Sequence, residues 1–399
     1  MKDFQQITFT TEVEMKNFID TQEQTDQWIG CYSKELEAVP LENNELNLYV
    51  KDAFQHTLLN GFSVDGFEKS VTEDEIKSSM ETTKMSLALP VNNKFELYPL
   101  RYTAWDQIQA RAGITGASIN SVKEKANAYE MAPQDRCMIL NKGLALRKDK
   151  ALVLIRDGKI TACLSGDEAD YKVLKSSELI KITEDKLHSY FAAVNWTGST
   201  VSHEILSVTY KVKDSELEQR ILNLLKSYGL TGNQIDVSVM LTTSDVGKCA
   251  ARLTPIIKAN GRSLPFGLAQ AVTHKGETAE QKFSAIAETF MAKFRENIKN
   301  IEKLMQIKIT NPASCLYNVY EELGLSGYAS ALKQCMERIK AEHATFCTAY
   351  DIYWYLNEML YITEDANAKA GKTTSLYGSI KAQETVAKVL FMDVTAFDY

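Results

Sequence analysis

The sequence lacks the motifs by which most enzymes are recognised. It contains no HExxH, GxSxG or GxGxxG pattern and no phosphate-binding Walker loop. We therefore predict no cofactor and favour a binding function over an enzymatic one. Histidine, the side chain best suited to proton transfer near neutral pH, occurs only at His56, His188, His203, His274 and His343.

Proline and long apolar runs are also scarce. The 399 residues include 7 prolines and 19 glycines, which argues against long disordered linkers. No run of apolar residues is long enough to cross a membrane. Acidic residues near the amino terminus stand where a signal peptide would have its apolar stretch. We expect a cytoplasmic protein, in the cytosol of the cell that makes it, without a membrane partner.

Cysteine is present without any pattern that predicts chemistry. An odd number of cysteines without a CxxC pair is typical of reduced thiols that are buried as small apolar side chains. A catalytic thiol or a metal site is the less favoured alternative. The seven cysteines are Cys31, Cys137, Cys163, Cys249, Cys315, Cys335 and Cys347.

The clearest structural signal is a hairpin in residues 151–165. Asp157-Gly158 favours a two-residue turn because glycine adopts a positive φ without steric cost. Apolar residues alternate on both sides of this turn, as in half-buried strands. The pattern predicts an α+β fold with a mainly antiparallel sheet, covering helices and an all-helical C-terminal region. Further strands are predicted at residues 94–100, 144–148, 200–212, 235–242 and 249–257.

Helical periodicity and composition divide the chain into three predicted regions. These are an acidic α/β region at residues 1–100, an antiparallel-sheet core at 101–276 and a helical region at 277–399. Thr103 is a predicted N-cap and Gly113 a predicted C-terminal glycine of one helix. The predicted helices are 13–29, 103–112, 121–129, 133–140, 177–193, 215–228, 279–305, 316–323, 329–341, 345–362 and 376–390.

Charge is unevenly distributed along the chain. The net charge of −7 combines −10 in residues 1–100 with +3 in the remainder. Residues 248–275 contain five basic residues and no acid. Such a stripe is compatible with phosphate binding or an acidic partner surface, and equally with a solvated sheet face.

Three blocks of the sequence resemble a family of uncharacterised proteins carried by phages and plasmids, often labelled phage/plasmid-like protein. They are residues 105–119, 153–174 and 237–261, followed by a His-containing turn at 273–276. The resemblance covers about residues 100–390. It departs at 244–247, where we expect a His-Asp-Gly-like turn, and at 258–260, where we expect a cysteine before the asparagine. It implies a mobile-element origin and work on DNA or against host functions.

The predicted function is nucleic-acid binding without catalysis, with single-stranded DNA as the expected partner and annealing or recombination as the setting. Sheets bind single strands through phosphate contacts and base stacking, and Tyr171, Trp196 and Tyr210 are aromatic residues near the predicted strands. The pI of about 5.5 stands against this function. The candidate binding residues are Arg147, Lys148, Arg156, Lys159, Lys248, Arg252, Lys258, Arg262 and His274.

Two other interpretations remain open. A protein-binding module, such as a host-defence inhibitor or a structural assembly protein, would use the acidic N-terminal region and the aromatic helix around residues 341–362. That helix is interpreted first as an internal packing seam. Asp167, Glu168 and Asp170 could hold Mg²⁺ but are interpreted as solvated loop acids, so no metal is predicted. We expect a homo-oligomer.

Overall fold

The fold is described in a computed structural model that covers most of the chain. The described residues are 6–40, 67–69, 83, 85–92, 94–114, 133–167, 169–226, 235–259, 262–276, 278–343, 345–372 and 375–399. The predicted helix at 121–129 lies outside them.

The strands of this part of the chain form antiparallel sheets, with one parallel pair between Phe67–Lys69 and Lys94–Pro99. The strands are β1 (Ile7–Phe9), β2 (Gln27–Tyr32), β3 (Glu37–Pro40), β4 (Phe67–Lys69), β5 (Met85–Val91), β6 (Lys94–Pro99), β7 (Lys150–Arg156), β8 (Lys159–Ser165), β9 (Val194–Val201), β10 (Leu206–Val212), β11 (Ile235–Thr243), β12 (Ala251–Ala259), β13 (Arg262–Pro265), β14 (Gln270–Val272), β15 (Lys308–Ile309) and β16 (Cys347–Thr348).

Helices pack around these sheets and make up most of the C-terminal third. They are α1 (Glu12–Thr25), α2 (Tyr102–Ala112), α3 (Pro133–Ala145), α4 (Ser176–Tyr190), α5 (Ser215–Leu225), α6 (Ala279–Lys293), α7 (Ile298–Gln306), α8 (Pro312–Glu322), α9 (Ala329–Glu342), α10 (Ala349–Lys369) and α11 (Leu376–Ala387). The predicted α+β class, with its antiparallel sheet and helical C-terminal region, is confirmed. Among the described helices, none has the length and apolar character needed to span a membrane.

Three sheets carry the architecture. The largest has the strand order β1-β9-β10-β11-β12-β13, with β14 also paired to β12. A three-stranded sheet has the order β2-β7-β8, and a four-stranded sheet has the order β3-β5-β6-β4. One face of the largest sheet packs against α1, α4 and the C-terminal helices in the larger hydrophobic cluster. The two smaller sheets share a second cluster with α2 and α3. The region boundaries at residues 100 and 276 stay a prediction.

The hairpin predicted at residues 151–165 is confirmed. Strands β7 and β8 pair antiparallel with Arg156 opposite Lys159. The turn residues Asp157 and Gly158 have φ values of 51° and 68°. Two positive φ angles are the signature of the turn type whose twist matches that of the flanking strands. The sequence signal was reliable here because it is entirely local.

Two predicted strands are wrong. Residues 144–148 end a helix instead, because α3 continues to Ala145 and the Arg147 amide donates to the Leu144 carbonyl at 2.9 Å. Residues 200–212 form two strands, since the chain turns between β9 and β10. The Ser202 hydroxyl accepts the backbone N–H groups of Glu204 and Ile205 at 3.1 and 3.2 Å. Local side-chain bonding of this kind competes with a continuous strand.

Several helix boundaries also differ from the predictions. The helix predicted at 13–29 ends at Thr25, because Gln27–Tyr32 pairs with β7. The helix predicted at 279–305 is interrupted by a 3₁₀ turn at Phe294–Asn297. Thr103 is not the N-cap of α2, because the helix begins at Tyr102 after the cap residue Arg101, and the Thr103 hydroxyl donates to the Thr161 carbonyl at 2.6 Å. Gly113 does end α2 in the left-handed conformation, as predicted.

The predictions for cysteine and for the aromatic helix are confirmed. All seven cysteines are free and buried, and burial raises the pKa of Cys163 to about 12. In α10, Tyr350, Tyr353 and Tyr355 are buried in the larger hydrophobic cluster. This helix is therefore mainly a packing seam.

Candidate functional site

Two of the predicted binding residues are buried in the hairpin. Arg156 is 4% exposed, and its Nε donates to Oδ1 of Asp26 at 2.8 Å while a second guanidinium nitrogen contacts Asp245. Asp26 precedes β2 and Asp245 lies in the β11–β12 turn. The guanidinium thus joins the three-stranded sheet to the largest sheet. Lys159 is 8% exposed. Neither side chain is accessible to a phosphate.

The basic stripe of β12 and β13 is not one open surface either. Arg252 is bonded to Glu384 of α11, and Arg262 is bonded to Glu358 of α10. The Lys258 Nζ lies 3.4 Å from the Thr197 hydroxyl. Partial burial lowers the pKa of Lys258. Lys248 is partly buried in the β11–β12 turn. The positive charges of the two arginines in the stripe are therefore neutralised by ion pairs with glutamates.

His274 is a buried residue. It is 5% exposed and stacks on Tyr171 with a centroid distance of 5.6 Å and an interplanar angle of 7°. Burial lowers the pKa of His274 to about 4, so its ring is neutral at pH 7. Neither ring nitrogen has a hydrogen-bond partner within the described part of the chain. This histidine contributes no positive charge to a binding surface.

The three aromatic residues proposed for base stacking all contact other parts of the protein. Tyr210 is buried and donates its hydroxyl to Glu184 at 2.9 Å. Trp196 packs against the larger hydrophobic cluster. The Tyr171 hydroxyl donates to the Asp245 carbonyl at 2.6 Å, next to the His274 stack. Tyr210 is thus closed to a base, whereas Tyr171 and Trp196 are partly buried.

The acidic loop after β8 is exposed. Asp170 accepts a hydrogen bond from the Ser165 hydroxyl at 3.0 Å, and Glu168 lies outside the described residues. No group of three or more His, Cys, Asp or Glu side chains that could hold a metal ion occurs among the residues described.

The remaining candidates, Arg147 and Lys148, lie in an accessible cluster at one end of the three-stranded sheet. In the β2–β7 ladder, Tyr32 is directly opposite Lys150. The Tyr32 side chain is 45% exposed, and the Lys34 Nζ lies 5.5 Å from its ring centroid. Lys142, Lys148 and Lys150 are exposed, and Arg147 is half-buried. We call this cluster the basic corner; it consists of Tyr32, Lys34, Lys142, Arg147, Lys148 and Lys150.

Local structure explains why these cations are together. Three of them surround the C-terminal end of α3, where the helix dipole favours positive charge. The chain then enters β7 directly, and the Ser33 N–H donates to the Asp149 carbonyl at 2.9 Å, which aligns β2 beside it. The two acidic residues beside the basic corner, Glu35 and Asp149, already have partners. Asp149 binds Arg111 at 3.0 Å, and Glu35 accepts the Tyr32 N–H at 2.7 Å.

No protein-family model matches the chain, and no curated protein or solved structure is detectably similar to it. The resemblance to phage- and plasmid-borne proteins therefore stays a prediction. The geometry of the basic corner is the observation on which a function can be proposed.

The sequence identified part of this corner. The run Arg147-Lys148-Asp149-Lys150 is visible as a local excess of positive charge. Tyr32 and Lys34 were missed because they are more than 100 residues away and join the corner only through the β2–β7 pairing. Lys142 was missed because the helix was predicted to end at residue 140 and a strand to begin at residue 144, whereas α3 continues to Ala145. A longer helix prediction would have placed it one turn from the run.

Proposed function

We propose that this protein binds single-stranded nucleic acid without catalysing a reaction, and that the basic corner contacts the strand. The observation that supports this most directly is the half-exposed ring of Tyr32, which has the Lys34 Nζ 5.5 Å from its centroid and the exposed Lys150 opposite it on the neighbouring strand. Lysine and arginine contact phosphates, and aromatic rings stack on bases. Both kinds of contact are offered within one small surface.

The exposed ring favours a single strand over a duplex. Bases in a duplex stack on one another and present only their edges in the grooves, whereas unpaired bases have a free face. Tyr32 lies on the end of a strand, next to Lys150, and not on a helix that could enter a groove. The surface therefore suits unpaired nucleotides.

The biological setting is part of the same proposal. The resemblance described above supports a phage- or plasmid-borne accessory protein that acts in the host cytosol during annealing or recombination. A homo-oligomer would align several basic corners along one strand. DNA is proposed as the ligand on the basis of that resemblance.

A protein-binding module remains the alternative, and one observation favours it. Met138 on α3 is 50% exposed, and Leu146, which directly follows that helix, is 84% exposed. Exposed apolar side chains next to charged ones are common where proteins associate. The partner would then be an acidic host protein.

The test is fluorescence anisotropy of a labelled oligonucleotide, titrated with protein at ~50 and ~200 mM salt. We assume that each of the four lysines of the basic corner contacts one phosphate of a single strand. The slope of log affinity against log salt concentration is then about −2.8, so binding weakens about 50-fold over this range. An RNA of the same sequence distinguishes the two nucleic acids. Absence of binding at the lower salt concentration would reject the proposal. Capture of an acidic host protein by the corner would then support the alternative.

A further inference from the structure

A groove lies between α1 and α4 and shares no residue with the basic corner. Its cavity volume is about 220 Å³, and it opens to solvent. A cavity of about 150 Å³ is known to hold benzene, so in proportion this groove has room for about nine heavy atoms. A small metabolite fits this space, whereas pockets for drug-sized ligands begin at roughly 300 Å³. The lining residues are Lys16, Ile19 and Asp20 of α1 and Ser177, Ile180, Lys181 and Glu184 of α4.

Hydrogen bonds between the two helices bridge the groove at each end. At one end, the Lys16 Nζ donates to Oε2 of Glu184 at 2.9 Å. At the other end, the Glu23 carboxylate accepts the Ser177 N–H at 3.0 Å and the Ser177 hydroxyl at 2.6 Å. A peptide or a nucleic-acid strand would have to continue past one of these bridges. The occupant is therefore a molecule short enough to lie between them.

The charged groups at the Lys16 end already have protein partners. The Lys16 Nζ also lies 2.7 Å from a Glu12 carboxylate oxygen. The second oxygen of Glu184 accepts the Tyr210 hydroxyl at 2.9 Å. These groups hold one another in place and leave the recognition of a charged ligand to other residues of the groove.

Two opposite charges on the rim of the groove remain without partners. Asp20 and Lys181 are exposed, one on each helix. Neither side chain forms an ion pair or a hydrogen bond in the part of the chain that the structure describes, and the two do not bridge to each other. Between them, Ile19 and Ile180 line an apolar floor. An apolar surface with a few polar groups that fix orientation is the usual composition of a small-molecule site.

We propose that this groove binds a free aliphatic α-amino acid of the size of leucine. The ammonium group of the ligand pairs with Asp20, its carboxylate pairs with Lys181, and its side chain lies on Ile19 and Ile180. The α-carbon holds both charged groups close together, so one small molecule meets both rim charges and the apolar floor. Leucine also matches the number of heavy atoms for which the groove has room. The site does not depend on the proposed nucleic-acid function.

The test is calorimetric titration of the full chain with leucine and three analogues. Isocaproate lacks the amino group of leucine and isoamylamine lacks its carboxyl group, so each forms only one of the two ion pairs. We expect both to bind at least about fivefold more weakly than leucine. Glycine keeps both charges but leaves the apolar floor uncovered, and it should bind at least about tenfold more weakly.

Single substitutions on the rim assign each charge. In Asp20→Asn, leucine should bind no better than isocaproate does, while isocaproate binding stays unchanged. In Lys181→Gln, leucine should bind no better than isoamylamine. Both positions are exposed, so neither change should affect folding. The matched controls, Asp365→Asn and Lys333→Gln, are exposed and outside the groove, and they should bind leucine as the unaltered protein does.

Three results would overturn this proposal. They are no heat of binding with leucine up to ~10 mM, equal binding of leucine and either single-charge analogue, and an undiminished preference for leucine in both rim variants. The first two use the unaltered chain, so they do not depend on the folding of a variant. The oligonucleotide titration tests the basic corner separately, because no residue of the groove belongs to that corner. Either proposal can therefore fail while the other stands.

Discussion

Neutralising the basic corner should weaken strand binding by an amount that can be calculated. The Lys148→Ala, Lys150→Ala variant removes two of the four phosphate contacts assumed above. Each contact contributes about 0.7 to the salt slope on a single strand, so the slope should fall from about −2.8 to about −1.4. If the two proteins bind equally at 1 M salt, this reduces the affinity about 65-fold at ~50 mM, and raising the salt to ~200 mM then weakens the variant's binding about sevenfold.

The variant isolates charge from folding. Both side chains are exposed, so the free energy of unfolding should change by no more than about 0.5 kcal/mol. Anisotropy titrations at four salt concentrations give the slope directly. The matched control removes two exposed lysines from α9, Lys333→Ala with Lys340→Ala, which alters net charge equally. An unchanged slope in the corner variant, or an equal loss in the control, would refute the assignment of phosphate contacts to the corner.

Three further predictions concern single residues. Tyr32→Leu should weaken oligonucleotide binding by about 1–3 kcal/mol without altering the salt slope, since it removes stacking and no charge; anisotropy measures both. Arg156→Met should lower the free energy of unfolding by about 3 kcal/mol or more in urea titrations, because it leaves the Asp26 carboxylate buried without its partner. A loss below about 1 kcal/mol would contradict the role of this pair. Burial lowers the pKa of His274 from its ordinary value near 6.5 to about 4, so the folded state loses stability as the pH falls through that window. His274→Phe should therefore remove about 3 kcal/mol of this pH dependence, and parallel stability curves for the two proteins would disprove it.

The parts of the fold that could be predicted are those encoded locally. The turn at Asp157-Gly158 and the alternation around it specify β7 and β8 without reference to any other segment. The same holds for the glycine that ends α2. The error at residues 200–212 has a local cause as well. Apolar and polar residues alternate there without interruption, but the Ser202 hydroxyl accepts hydrogen bonds from two following backbone amides and the chain turns at that point.

The binding residues depend on contacts that sequence spacing does not contain. Arg156 bonds Asp26 across 130 positions, and Arg252 bonds Glu384 across 132. A cation paired in this way has the same appearance in the sequence as an exposed one. The prediction therefore selected basic residues on strands, where side chains pack against covering helices. Lys142 and Lys148 at the end of α3 remain exposed, whereas Arg147 is half-buried.

The N-terminal region has a larger structural role than its acidic composition indicates. Strand β1 pairs with β9, and β2 pairs with β7. Met15 and Ile19 of α1 are buried in the larger hydrophobic cluster. Removing residues 1–100 would therefore delete an edge strand of two sheets, the whole of the four-stranded sheet, and also Tyr32 and Lys34 of the basic corner. A truncated chain that failed to bind nucleic acid would not distinguish lost folding from lost contacts, so point variants at exposed positions are the decisive test of the proposed surface.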